Sequence, residues 1–238
     1  MKVYKTSQNR TRANEVHFDL QPPRERLLER GADSLSSVDL LAVLLGTGMP
    51  GLAVQDLARS LLHRFGSLDE LLQQPVADLA GIAGLGWAKV ARLKAAQELS
   101  LRVAEEQLQD GVAFQDPNSV ARYIQKRLGH QPREVFGCLF LDTRHRLLAW
   151  EELFFGSIDR AHVHAREIVR RALMLNAAAI IFGHNHPSGV AEPSSADLQL
   201  TQQLGGLLKQ LDLRLLDHIV VARNSSVSMA QRGLISPG

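Results

Sequence analysis

The chain has 238 residues, 45% apolar and 22% charged, enough to bury one large or two small cores. A net charge of +2 is too small to imply a polyanion partner by itself, and the single cysteine, Cys138, excludes an internal disulfide and fits a reducing cytoplasm. No apolar run approaches the roughly 18 residues of a membrane span, and the N-terminus lacks the apolar stretch of a signal peptide, so no membrane partner is expected.

Residues 1–21 read as a basic flexible arm, with Lys2, Lys5, Arg10 and Arg12 and no acid among residues 1–14. Residues 22–111 have helical spacing and predict a small all-α domain. Pro23 opens a helix that stops at Gly31; Ser36 or Ser37 caps a second over 38–45, stopped by Gly46. A third covers 54–64 with the stripe Leu57, Leu61 and Leu62, and Ser67 caps a fourth over 68–73. Over 79–93 a helix end, Gly84-Leu85-Gly86 and a new helix follow one another, which resembles a helix-hairpin-helix motif. Such a motif grips the sugar-phosphate backbone of DNA without reading sequence. Gly84 and Gly86 would permit positive φ and close approach, while Lys89 and Arg92 would add charge on one helix face. An ordinary αα-hairpin, with glycines for tight packing alone, stays open beside it, and Glu98, Glu105 and Glu106 offset the basic residues. The last helix is expected to run to about Leu108.

Gln109-Asp110-Gly111 and Gln115-Asp116-Pro117-Asn118-Ser119 mark a boundary, and residues 117–238 alternate helices and strands. A helix is predicted over 120–128, then strands over 134–141 and 146–155 as an antiparallel hairpin. A helix over 165–175 precedes an apolar strand at 177–182, buried on both faces. A helix over 195–211 and strands over 213–222 and 227–230 complete an α/β domain, a mixed sheet flanked by helices.

The chemistry lies just beyond the 177–182 strand, in His184-Asn185-His186-Pro187-Ser188-Gly189 and Pro193-Ser194-Ser195-Ala196-Asp197. Side chains two apart on an extended backbone share a side, so His184 and His186 can close on one ion. Asp197 can return as a third ligand. Two imidazoles, one carboxylate and a position left for water describe a catalytic zinc site rather than a structural one. Ser194 also reads as a helix N-cap with Asp197 in the first turn, a role compatible with ligation. A proton-moving carboxylate must come from Glu134, Glu151, Glu152 or Glu192; Glu134 starts an apolar strand, where desolvation raises a carboxyl pKa towards a useful value.

His184, His186, Ser194 and Asp197 together resemble the JAMM (MPN-type) metalloprotease signature. More narrowly, His184-Asn185-His186-Pro187-Ser188-Gly189 with Pro193-Ser194 is similar to the bacterial RadC family, also called UPF0758. The resemblance implies a JAB/MPN, cytidine-deaminase-like fold and Zn²⁺ on His184, His186 and Asp197. It further implies Glu134 as general base, with Glu151 second, and Ser194 as support for the oxyanion of a tetrahedral intermediate. A second pair, His162-Val163-His164, reads as a helix entry, and Ala165 departs from the proline usual in that family. Asp217-His218 also resembles the family and reads as an internal hydrogen-bonded pair. The expectation is a cytoplasmic zinc hydrolase cutting a peptide or isopeptide bond in a protein or peptide substrate. The rival is a DNA-binding accessory of repair or recombination in which the metal domain is secondary.

Overall fold

The computed structural model describes residues 21–110, 117–156 and 163–235. The basic arm up to residue 20 and His162 lie outside them. Two compact units divide between Glu98 and Leu99, inside a long helix rather than in the polar stretch that follows it.

The first unit is helical: α1 (Pro23–Arg30), α2 (Ser37–Leu45), α3 (Val54–Phe65), α4 (Leu68–Gln73), α5 (Val76–Ala80) and the start of α6 (Trp87–Gln109). Its core is leucine-rich, with Leu41, Leu45, Leu57, Leu61, Leu71, Leu79, Leu85 and Leu93 buried together. Ser36 caps α2 in a reciprocal box with Asp39, whose carboxylate also takes Gln55 and the Arg26 guanidinium at 2.8 Å. Ser67 caps α4 by accepting the Glu70 amide at 3.1 Å.

The second unit holds α7 (Pro117–Leu128), β1 (Val135–Leu141), β2 (Leu147–Phe155), α8 (Ala165–Met174), β3 (Ala179–Asn185), α9 (Ser195–Lys209), β4 (Arg214–Ala222) and β5 (Ser225–Ser228). The strands form one mixed sheet in the order β2-β1-β3-β4-β5, with only β3 and β4 parallel. Alternation sorts the side chains. Val135, Leu139, Leu141 and Ile181 pack with α7, whereas Phe136, Cys138, Phe140, Ile180 and Phe182 pack with α8 and α9. Gly183 continues the α7 face, and a Cβ there would meet Ile124 Cγ2 at 2.8 Å; only glycine lets the helix settle so close.

Two details differ from the sequence reading and both bear on the site. β3 runs on through Asn185, so His184 sits within a strand and is fully buried. β4 carries an irregularity: Ile180 pairs with Leu215, but Ile181 pairs with Asp217. The extra residue reverses the alternation of β4, so that His218, not Asp217, turns to the face of Phe136, Phe182 and His184. The last strand ends at Ser228 rather than Ala230.

Candidate metal centre

Three side chains meet where β3 ends and α9 begins. His184 Nε2 and His186 Nε2 are 2.9 Å apart, and Asp197 places Oδ1 3.2 Å from the first and Oδ2 3.4 Å from the second. Zinc bound tetrahedrally at 2.0–2.1 Å holds its ligand atoms roughly 3.3 Å from one another. One ligand atom from each of the three residues lies within 4.8 Å of the others, close enough for the set to close on one ion.

Hydrogen bonds behind the site decide which nitrogens carry protons. The Asp197 carbonyl can only accept, so the Thr201 hydroxyl, 2.5 Å away, spends its proton there. His218 Nδ1, 2.6 Å from the same hydroxyl oxygen, must then be the donor to it. That leaves His218 Nε2 as an acceptor for His184 Nδ1–H at 2.8 Å, and His184 Nε2 with a bare lone pair. His186 Nδ1 donates to the Val190 carbonyl at 2.9 Å, so the neutral ring has its lone pair on Nε2. Two lone pairs thus point at each other beside a carboxylate, an arrangement that asks for a cation.

The acid–base behaviour agrees. Burial, followed by the charge of His184, lowers the His218 pKa well below the usual imidazole value, as a neutral relay requires. Burial also outweighs Asp197 in lowering His184. His186 is raised, first by its hydrogen bond to Asp197. Asp197 is pushed up by burial but pulled further down by His184, His186 and Ser194, so it stays ionised. The attraction that holds a proton on His186 is the one a divalent cation would feel in its place.

Asp197 owes its placement to α9. Ser194 caps the helix by accepting the Asp197 amide at 3.1 Å, while its own N–H and hydroxyl donate to Asp197 Oδ2, each at 2.7 Å. Ser194 thus caps α9 and holds the Asp197 carboxylate in place, with its hydroxyl proton on that aspartate.

Among the acids, Glu151 is held by Arg171 in a two-pronged ion pair, its Oε2 2.6 Å from Nε, and Glu192 is held by Arg232 Nη1 at 2.7 Å. Glu134 lies immediately before β1, and its charge raises the proton affinity of both His184 and His186. His164 begins α8 without a side-chain cap and sets its edge against Phe154 at 6.3 Å.

Asp217 and His218 do not pair through their side chains. Asp217 Oδ1 accepts the His218 backbone amide at 2.7 Å and its Oδ2 the Ser228 hydroxyl at 2.5 Å, tying β4 to β5, while the His218 ring faces the opposite way. The relay of Thr201 and His218 was missed because its members are 17 residues apart and meet only through the β4 irregularity. Loss of the Thr201 hydroxyl frees His218 to change tautomer. We expect Thr201→Val to weaken zinc binding about 10–100-fold, read by competition with a chromophoric chelator. Unchanged affinity would sink the relay.

Gly84 has φ +86° and lies 3.0 Å, measured from a hypothetical Cβ, from Met49 Sδ, but Gly86 has no positive φ and its Cβ would meet open space. Lys89 Nζ donates to the carbonyls of Gly48 at 2.9 Å and Gly84 at 2.8 Å, and Arg92 Nη1 donates to Leu45 O at 3.0 Å. Both cations thus help tie the helical unit together, Arg92 while remaining exposed.

Comparison with known proteins agrees with this architecture. Residues 114–234 match the model of the RadC-like JAB domain, and residues 19–91 that of the UPF0758 N-terminal region. A UPF0758 protein of Methylibium petroleiphilum is 53% identical over 213 residues, covering 90% of this chain and 96% of the relative. One from Nitrosococcus oceani is 51% identical over 90% of this chain and 95% of its own, and one from Xylella fastidiosa 52% identical over 89% and 94%. The chain belongs to the UPF0758 family and carries a RadC-like JAB domain.

Proposed function

We propose that this protein is a zinc-dependent hydrolase of the JAMM metalloprotease type, acting on a peptide or isopeptide bond. The observation that carries the reading is the convergence of two imidazole nitrogens and one ionised carboxylate, each ligand atom within 4.8 Å of the others. His184, His186 and Asp197 would hold the ion. Zinc, when bound, acts as a Lewis acid and lowers the pKa of a coordinated water to roughly 7. Glu134 then takes a proton from the attacking water and passes it to the departing amine, which leaves neutral. The Thr201–His218 relay keeps His184 in the tautomer that ligates, and Val190 does the same for His186.

A metal assay of the full chain tests the assignment. After loading with zinc and removal of excess, the wild type is expected to retain one ion per chain and His186→Ala to retain none. Equal occupancy rejects the ligand set. Turnover is sought with internally quenched peptides and an isopeptide-linked probe, comparing metal-loaded with chelator-treated protein. The rival DNA-binding role is tested by duplex and branched-DNA binding at low salt, where a steep salt dependence is its mark.

A further inference from the structure

The geometry points to Asn185, the residue between the two imidazole ligands, as a positioning residue that fixes Glu134 beside the metal centre. The inference rests on the reading of Glu134 as the proton acceptor and deepens it.

The β1–β3 pairing is antiparallel, with Gly137 opposite Gly183 and Phe136 opposite His184. Continued by two residues, that register sets Glu134 across from His186, on the same face of the sheet as both imidazoles. The backbone ladder does not carry the register there, because β1 begins only at Val135. The Asn185 side chain takes over. Its Oδ1 accepts the Val135 amide at 2.8 Å, and its Nδ2 donates to Gln131 O at 3.2 Å and Arg133 O at 3.1 Å. One buried amide thus grips the chain on both flanks of Glu134. Both of its N–H groups and its carbonyl oxygen are engaged with backbone. From the far side, Gly156 N–H donates to Glu134 O at 2.8 Å, so the glutamate backbone is held from two directions.

Nothing in this clamp supports the metal ligands themselves. His184 is fixed by His218, His186 by Val190, and Asp197 by Ser194. Asn185 therefore separates two tasks: alternate side chains of one strand end hold the ion on one face and aim the base from the other. A base displaced by about 1 Å loses about 10²-fold in rate, so the clamp has a function distinct from stability.

The test uses zinc-loaded full-length protein and acetohydroxamate, a chelating ligand whose hydroxyl gives its proton to a carboxylate beside the metal. Dissociation constants are measured for the wild type, Glu134→Gln, Asn185→Ala and the double variant, with zinc content and thermal unfolding as controls. Loss of the charge-assisted bond should weaken binding at least about tenfold in Glu134→Gln. Asn185→Ala should weaken it similarly at full zinc occupancy, and the double variant should be no weaker than Glu134→Gln. Amide exchange at Val135 should accelerate in Asn185→Ala and not in Glu134→Gln. Asn185→Ser, which keeps a small polar side chain, serves if the alanine variant fails to fold and should fall between. A Glu134 effect without an Asn185 effect, or additive losses in the double variant, overturns the clamp alone. Equal binding by wild type and Glu134→Gln overturns the reading of Glu134 and the clamp with it.

Discussion

Zinc in thousandfold excess over its dissociation constant is expected to stabilise the wild-type protein against unfolding by about 4 kcal/mol and to leave Asp197→Ala unchanged. The arithmetic follows from binding to the folded chain alone, since the unfolded chain scatters the three ligands over 14 residues. Asp197 is chosen because its loss removes the only anionic member of the set. Two neutral nitrogens then face the ion without the charge that balances it. The comparison is made by denaturant unfolding of metal-stripped protein with and without added zinc. The alanine variant also loses its part of the Ser194 capping box, which lowers its stability in the absence of metal by about 1 kcal/mol. An equal zinc-induced shift in both proteins would remove Asp197 from the site.

Glu134→Gln carries the second large expectation. The change keeps the shape of the side chain and its hydrogen-bonding reach but abolishes its basicity. With zinc retained, kcat on any cleaved peptide or isopeptide probe should fall about 10²–10⁴-fold while KM changes little. The opposite pattern, raised KM with kcat intact, would make Glu134 a substrate contact rather than a base. Glu151→Gln tests specificity: Glu151 is bound to Arg171, and its replacement should leave kcat near the wild-type value.

The meeting of His184, His186 and Asp197 was legible in the sequence because its geometry is local. A strand fixes His184 and His186 on one side by its two-residue period, and a capping box fixes Asp197 at the third position of a helix. The mixed α/β domain and the helical N-terminal region were legible for the same reason, since each apolar run has its own period. What could not be read depends on meetings between distant segments. Alternation applied to β4 puts Asp217 and Leu215 together, and only the irregularity opposite Ile180 and Ile181 sends His218 to His184 instead. The bonds from Asn185 reach back 50 to 54 residues. The bonds of Lys89 and Arg92 are as distant, closing on carbonyls 41 and 47 residues earlier.

The capping box has an electrical consequence for the ion. Asp197 stands in the first turn of the 15-residue helix α9, where aligned peptide dipoles leave about half a positive charge. That field draws electron density away from the carboxylate and towards the helix, as do the Ser194 donors on Oδ2. The aspartate then neutralises less of the cation than a carboxylate on a flexible loop would. A zinc ion held by Asp197 would on this ground be more electrophilic, tuned by the winding of a helix.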